Sequence, residues 1–326
     1  MADHSFLKGV TYAGVVITVV VVVLGAYTRL VDAGLGCPDW PACYGFLSVP
    51  ESAQELRLAE ARFPQAPVDV DKAWAEMVHR YFASALGLLS LVILGVAYRQ
   101  RVSLTLPLAL LILVIVQGAF GAWTVTLKLW PQVVTAHLLG GFATLGLLWL
   151  YALKLGFSGR IVVAAGLRTH AAWALAFVVL QIALGGWVSS NYAALACPDF
   201  PACHGRLMPD MDFGSAFNLA QDVGPNYLGG QLSSDARVAI QMTHRLGAFV
   251  VLLMVGALAL RMLGDAASLG WTLLGILFVQ FGLGVANVLG ELPLIVATLH
   301  NAGGAGLLIA LITINWAARG RHRAPV

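Results

Sequence analysis

Four histidines lie within long apolar stretches of the sequence, and their spacing repeats. His79 and His137 in the first half correspond to His244 and His300 in the second half, at offsets of 165 and 163 residues. An ionisable side chain inside such a stretch is expected to be functional. Two histidines on facing helices of a bundle are the arrangement that holds a haem iron from both sides. The alternative for each histidine is a hydrogen bond to a carbonyl or serine on a neighbouring helix.

Glycine pairs follow the second histidine of each half, at Gly140–Gly141 and Gly303–Gly304. They stand three and four residues after the histidine, so each pair shares a helix face with it, one turn further along. This pattern favours a pocket for a flat macrocycle beside each histidine. Close packing of helices through small residues is the alternative explanation.

The two halves differ three residues before the first histidine, where Glu76 in the first half corresponds to Gln241 in the second. A carboxylate at this spacing lies on the same helix face as His79, where it can move protons or stabilise positive charge. Glutamine cannot titrate. The difference assigns a reaction to the first half and a fixed redox cofactor to the second. The alternative is that Glu76 is a first-turn acid favoured by the helix dipole.

An arginine follows the first histidine of each half, at Arg80 and Arg245. A guanidinium group forms paired hydrogen bonds with carboxylates, so both arginines are candidate partners of haem propionates. Extension of the side chains towards the membrane interface is equally compatible with their positions.

Four cysteines form two pairs, each separated by five residues. Cys37 and Cys43 enclose Pro-Asp-Trp-Pro-Ala, and Cys197 and Cys203 enclose Pro-Asp-Phe-Pro-Ala, at an offset of 160 residues. An oxidising exterior favours disulfides, and pairing within each motif needs the least chain closure of the three connectivities. Zinc binding is the rival, but it lacks a second ligand pair in either loop.

The elements that carry these residues are predicted to cross a membrane. Hydrophobic residues make up 59% of the 326 residues and charged residues 11%, against about 45–50% and 25% in soluble domains. Eight apolar windows of suitable length contain no acidic residue, and in lipid such segments must be helical. We therefore expect an all-α integral membrane protein. The windows are Val10–Leu30, Met77–Tyr98, Leu106–Leu127, Pro131–Leu153, His170–Ser190, Val238–Leu260, Leu269–Leu289 and Leu294–Trp316.

The basic residues outside the windows indicate the orientation, because short cytoplasmic connections carry the positive excess. Ten of them fall at the N-terminus, in every second connection and in the tail, which predicts cytoplasmic N- and C-termini. The two long connections on the other side, residues 31–75 and 191–237, are acidic. Since the bases do not gather on one soluble face, no nucleic acid partner is expected. The ten are Lys8, Arg99, Arg101, Lys154, Arg160, Arg168, Arg261, Arg319, Arg321 and Arg323.

The repeat predicts two pseudo-symmetric four-helix bundles. The first comprises residues 1–155, and the second comprises residues 169–318. Residues 156–168 form a cytoplasmic linker and residues 319–326 a basic cytoplasmic tail. Because each half has an even number of spans, the halves share one topology and are related by an axis along the membrane normal. Assembly into a homo-oligomer is compatible with this arrangement.

The segment Arg29–Gly45, the Glu76-x-x-His79-Arg80 turn and the histidines of alternate spans closely resemble haem A synthases, over essentially the whole chain. The resemblance implies an integral protein of the bacterial cytoplasmic (inner) membrane. The implied activity is oxidation of the C8 methyl group of haem O, through an alcohol, to the formyl group of haem A for terminal oxidases.

The resemblance also implies the roles of individual residues. His244 and His300 would hold a haem b cofactor, His79 and His137 would bind the substrate haem, and Glu76 would be the essential glutamate of the family. Candidate partners are membrane lipid, a haem O synthase and an external electron donor. Some members of the family lack the loop cysteines.

Two other functions fit a duplicated histidine pair. A diheme b-type electron-transfer cytochrome needs the same four ligands but gives no reason for the difference between Glu76 and Gln241. A haem transporter suits parallel repeats, but it needs an open path to the cytoplasmic side.

Overall fold

The computed structural model describes residues 4–156 and 163–319, and it is built of α-helices joined by loops. All the helices except α2 and α7 are long and apolar enough to cross a membrane, which gives eight candidate spans within the described residues. The predicted all-α membrane fold is confirmed. In chain order the helices are α1 (Ser5–Leu30), α2 (Ala53–Arg62), α3 (Val70–Arg99), α4 (Thr105–Thr126), α5 (Pro131–Lys154), α6 (Arg168–Ser190), α7 (Phe213–Ala216), α8 (Ser234–Met262), α9 (Ala267–Leu289) and α10 (Leu294–Ala318).

The spanning helices that follow the two long connections begin several residues before their apolar windows. Helix α3 begins at Val70 and α8 at Ser234, each with a polar first turn. The Asp69 side chain caps α3 by accepting from the Lys72 amide at 3.2 Å, and Ser233 caps α8 in the same way. Hydropathy detects only the part of a helix that lies in hydrocarbon. The polar first turns of α3 and α8, which are stabilised by caps, were therefore not predicted. The two long connections are correspondingly shorter than expected.

The spanning helices form two rings of four. In the first half α1 packs on α3, α3 on α4, α4 on α5 and α5 on α1; in the second half α6, α8, α9 and α10 pack in the same order. Helices α3 and α5 therefore occupy opposite corners of one ring, and α8 and α10 occupy opposite corners of the other. The halves meet where α5 packs on α10, with α1 against α10 and α6 against α5.

The interface between the halves contains a cavity at the end away from the disulfide loops. Its volume is about 520 Å³, and α5, α6 and α10 form its walls. The lining is mostly apolar, with Phe142, Val179 and Leu308 among its residues and with Lys154 and Arg319 at the same end. The outer faces of the rings carry exposed apolar side chains, as lipid contact requires. Examples are Leu88, Ile115, Leu253 and Phe278.

Part of the predicted domain organisation falls on residues outside the described ranges. Residues 157–162 of the linker and residues 320–326 of the tail are among them, including Arg160, Arg321 and Arg323. The domain boundaries drawn from the repeat stay a prediction.

Candidate functional site

The first histidine pair faces across the centre of its helix ring. His79 lies on α3 and His137 on α5, at opposite corners, and their ring centroids are 6.5 Å apart. A metal ion midway between two imidazoles needs a separation of this size, since each metal–nitrogen bond is about 2 Å and each half-ring supplies the rest. The structure therefore brings together the two residues that the sequence predicted as one ligand pair.

The second pair, His244 on α8 and His300 on α10, occupies the matching corners of the other ring. The structure therefore places the four predicted ligands at opposite corners of their rings, and the binding of a haem between each pair stays a prediction.

Each histidine rests against a glycine of a helix at one of the remaining corners. A Cβ atom at any of these glycines would lie only 3.0–3.5 Å from Cε1 of the imidazole, so the missing side chain is what seats the ring. Two helices of each ring thus supply histidines and the other two supply glycines. The contacts are Gly25 with His79, Gly121 with His137, Gly185 with His244, and Gly284 with His300.

The histidine environments fit an iron porphyrin bound from both sides. The Nδ1 atoms of His79, His137 and His300 are buried without a hydrogen-bond partner. A buried unsatisfied nitrogen costs about 1–3 kcal/mol, so these rings are better suited to binding a ligand than to packing alone. The glycine contacts hold the imidazoles in place within an apolar interior, as axial ligation requires.

Gly284→Leu is expected to remove haem from the second half, because a side chain there displaces the His300 ring. Gly282→Leu is the matched control on the same helix, since nothing lies within 4 Å of a Cβ at Gly282. Haem content of the two purified variants, measured as pyridine haemochrome, tests this. Equal haem content in both variants would show that Gly284 does not seat the histidine.

Glu76 is buried beneath the first disulfide loop, with 5% of its surface exposed. Its Oε2 accepts a hydrogen bond from the Cys37 amide at 2.9 Å, and its Oε1 forms an ion pair with Arg80. The Arg80 guanidinium also donates to the carbonyl oxygens of Ala42 at 2.7 Å and Asp39 at 3.1 Å. The carboxylate is therefore fixed both to the loop above it and to the helix turn that carries His79.

The second half lacks this ion pair. Arg245 donates to the carbonyl oxygens of Ala202 at 2.7 Å and Cys197 at 2.8 Å, as Arg80 does in its own loop. Gln241 makes no ion pair, and its Oε1 is buried without a partner. In both halves an arginine on the helix thus binds carbonyl oxygens of the disulfide loop. Only the first half adds the buried negative charge of Glu76. Both guanidinium groups face loop carbonyls, and their predicted pairing with propionates stays a prediction.

Arg80→Ala is expected to destabilise the protein more than Arg245→Ala does. Removing Arg80 leaves the buried Glu76 carboxylate unpaired, which costs about 3–5 kcal/mol. Removing Arg245 leaves two neutral loop carbonyl oxygens without their hydrogen-bond donor, at about 1–3 kcal/mol. Thermal unfolding of both variants in the same detergent measures the difference, and an equal loss of stability would contradict the ion pair's importance.

The predicted disulfides are confirmed in both loops, Cys37 with Cys43 and Cys197 with Cys203. Because the sulfur atoms are bonded to each other, the zinc alternative does not apply. The two loops also share their internal hydrogen bonds: Asp39 accepts from the amides of residues 44 and 45, and Asp199 from those of residues 204 and 205. The bond from the Gly205 amide holds the pKa of the Asp199 carboxyl below its usual value.

Arg29 joins the two halves at the end that carries the loops. Its Nη2 donates to the Ser189 carbonyl oxygen at 2.6 Å, and its guanidinium lies 4.0 Å from the centre of the Tyr192 ring. The Tyr192 hydroxyl donates to Asp32 at 2.9 Å, and burial raises the pKa of Tyr192. The repeat offset of 160 residues relates Arg29 to Ser189 and Asp32 to Tyr192, so equivalent positions meet across the interface.

The sequence reasoning missed the glycines that seat the histidines. A signal was present, because Gln117, Gln181 and Gln280 each precede such a glycine by four residues. The side chains of these glutamines fill the space beside a further glycine of the neighbouring helix. Those further glycines are Gly140, Gly247 and Gly303. The space beside Gly140 and Gly303, predicted as part of a macrocycle pocket, is occupied by glutamine side chains in the structure.

The fold and the site define an integral membrane protein of two related halves, each with a histidine pair across a ring of four helices. Residues 9–312 match the model of a family described as COX15-CtaA, cytochrome oxidase assembly protein. The chain belongs to this family.

The chain is also similar to curated proteins over nearly its whole length. It is 44% identical over 309 residues to the haem A synthase of Shewanella oneidensis, which covers 92% of this chain and 93% of the relative. It is 30% identical over 342 residues to the haem A synthase of Erythrobacter litoralis, with 94% of each chain covered. The haem A synthase of Caulobacter vibrioides is 29% identical over 333 residues, covering 91% of this chain and 92% of the relative.

Proposed function

We propose that this protein is an oxidoreductase that converts the C8 methyl group of haem O to the formyl group of haem A. The substrate haem binds between His79 and His137, and a haem b cofactor binds between His244 and His300. The observation that carries the proposal is a buried carboxylate beside one of two otherwise similar histidine pairs. The names of the curated relatives support the same activity.

The first histidine pair positions the substrate. A porphyrin bound through its own iron by two opposed imidazoles has the plane of its ring fixed. The edge of the ring is then held at a constant depth relative to Glu76, which lies one helical turn from His79 on the same face of α3, and contacts at the ring edge would set the rotation about the iron–nitrogen axis. Fixing one methyl group near one reactive side chain is the positioning contribution that such a site supplies.

Glu76 is the side chain best suited to handle protons. Hydroxylation of a methyl group by dioxygen (R–CH3 + O2 + 2 e− + 2 H+ → R–CH2OH + H2O) consumes protons together with electrons from the external donor, and a second such step gives an aldehyde hydrate that loses water to leave the formyl group. Glu76 is the one acidic side chain buried among the described residues and can deliver these protons. Its Oε1 accepts from the Arg80 guanidinium and its Oε2 from the Cys37 amide, and each oxygen keeps a further lone pair that can take up a proton. Gln241 cannot take this role in the second half, because an amide does not titrate.

The second half suits a resident electron carrier. Haem b, when bound there, would supply one-electron transfer. Helix α5, which carries His137, packs directly on α10, which carries His300. The two sites therefore lie on either side of one pair of contacting helices, an arrangement that suits exchange of electrons between them.

The location and the partners belong to the same proposal. Eight apolar spans require lipid around the protein, and the positive-inside rule places both termini in the cytoplasm of a bacterial cell. Haem O reaches the first site from the membrane or from a haem O synthase, and an external donor serves the second site. The division into residues 1–155 and 169–318 assigns one haem to each half.

The proposal is tested by expressing the protein in a host that makes haem O but not haem A. Extracted pigments, separated by chromatography, are expected to contain haem A and its hydroxylated precursor. Bound haem without either product would favour an electron-transfer cytochrome. Accumulation of unmodified haem O on one side of sealed vesicles would favour a transporter.

A further inference from the structure

The first histidine of the second half has a polar side-chain neighbour that the first histidine of the first half lacks. In the second half the Gln181 side chain on α6 reaches His244: its Nε2 lies 3.0 Å from the ring Nδ1 and donates to the His244 carbonyl oxygen at 2.9 Å. The repeat offset of 160 residues places Val21 at the equivalent position on α1. The valine side chain is apolar, so at this position only the Val21 backbone is available to the His79 ring, and the Nδ1 atom of His79 has no side-chain partner.

A second difference makes the first one possible. A Cβ atom at Gly247 would lie 2.2 Å from the Oε1 atom of Gln181, so only glycine leaves room for the amide. The offset of 165 residues that relates the histidines places Phe82 at the equivalent position of the first half. The glutamine and the glycine thus form a matched pair in one half, and the valine and the phenylalanine replace them in the other.

A carboxamide suits a metal-ligating histidine because it carries both a donor and an acceptor. When the imidazole binds iron through one nitrogen, the other nitrogen bears a proton and needs an acceptor. The Oε1 atom of Gln181 is buried without a partner. Rotation of the amide presents Oε1 to a protonated Nδ1, and the bond from Nε2 to the His244 carbonyl oxygen is exchanged for this one. Such a partner fixes the ring orientation, and its loss typically weakens metal binding about 10–100-fold.

We propose that Gln181 is a positioning residue that makes the second site retain its haem, while Val21 and Phe82 leave the first site able to exchange its haem. The inference rests on the proposed function, in which one haem is a resident cofactor and the other is a substrate that must leave as product. The half proposed to hold the cofactor therefore has the feature that retains haem. The half proposed to carry out the reaction lacks it and can release its haem.

The first test replaces Gln181 by its counterpart, Gln181→Val, in the full-length protein. Transfer of haem from the purified protein to excess apomyoglobin is expected to show about 10–100-fold weaker retention at the second site. The low-spin electron paramagnetic resonance signal is expected to shift, because the His244 ring is free to rotate. Gln181→Glu, which restores an acceptor, is expected to recover both retention and a single sharp signal.

The second test transfers the pair to the first half as Val21→Gln with Phe82→Gly. The expected result is haem that stays bound between His79 and His137 through purification, with slower release of product. Circular dichroism of both variants checks that the helices are intact. A gain of retention cannot arise from misfolding, so this variant tests the inference even if Gln181→Val proves unstable.

The outcomes separate the inference from the proposed function. If Gln181→Val keeps wild-type retention and an unshifted signal, or the transferred pair leaves first-site release unchanged, the positioning role is overturned and the proposed function stands. If His244→Ala and His300→Ala leave all bound haem in place, the proposed second site is absent and both fail together.

Discussion

Glu76→Gln is expected to abolish formation of haem A while leaving haem binding intact. The substitution keeps the size of the side chain and a hydrogen-bond acceptor for the Cys37 amide, but it removes the group that holds the proton. Loss of a general acid or base typically lowers the rate about 10²–10⁴-fold. The measurement is product per bound haem in the host that makes haem O, with the absorption spectrum of the purified variant as the check on binding.

The matched control is the exchange at the equivalent position, Gln241→Glu. Arg245 is available to pair with the new carboxylate, so the protein is expected to fold and to keep its haem b. It is not expected to gain a second reacting site, because the second half retains its own haem. Wild-type turnover by Glu76→Gln would mean that protons move to and from the first site by another route. The role of Glu76 would then be only to hold the loop.

Alanine substitutions of the two histidine pairs are expected to have different effects. His244→Ala and His300→Ala should remove the low-spin haem spectrum of the purified protein, because each deletes one of two axial ligands. His79→Ala and His137→Ala should preserve that spectrum and lose haem A formation, since they remove the substrate ligands. Absorption and electron paramagnetic resonance spectra, together with extracted pigments, distinguish the two patterns.

His170→Ala serves as the control for these variants. His170 lies on α6, and its Nε2 is hydrogen-bonded to the Met254 carbonyl oxygen at 2.9 Å, away from either pair. Both the spectrum and the product are expected to be unchanged. An unaltered spectrum in His244→Ala would move the resident haem to another site.

The fold could be predicted from the sequence because lipid permits few structures. Every backbone polar group of a spanning segment must be satisfied within the protein, so hydropathy alone indicated the eight helices. The polar first turns of α3 and α8 were missed, since they lie at the membrane surface and are stabilised by the caps Asp69 and Ser233. Hydropathy contains no information on such caps.

The candidate site was predictable where chemistry is repeated along the chain and not where it depends on packing between helices. The offsets of the repeat identified the histidines and the disulfide motifs, and the exchange of Glu76 for Gln241 singled out one half. The loop carbonyl partners of Arg80 and Arg245 could not be predicted, because these oxygen atoms come close to the guanidinium groups only in the folded chain. The glycines that contact the imidazoles could not be predicted for the same reason, because they lie on other helices and meet the histidines only in the folded chain.

Hydrogen bonds join the two halves at both ends. Arg29 bonds to Ser189 at the loop end. At the opposite end Trp149 on α5 donates to Thr313 on α10 at 2.7 Å, beside the cavity lined by α5, α6 and α10. Because both ends are joined, the spacing between the two histidine pairs would stay nearly constant. Electron tunnelling between the two sites would then be insulated from fluctuations in bilayer thickness.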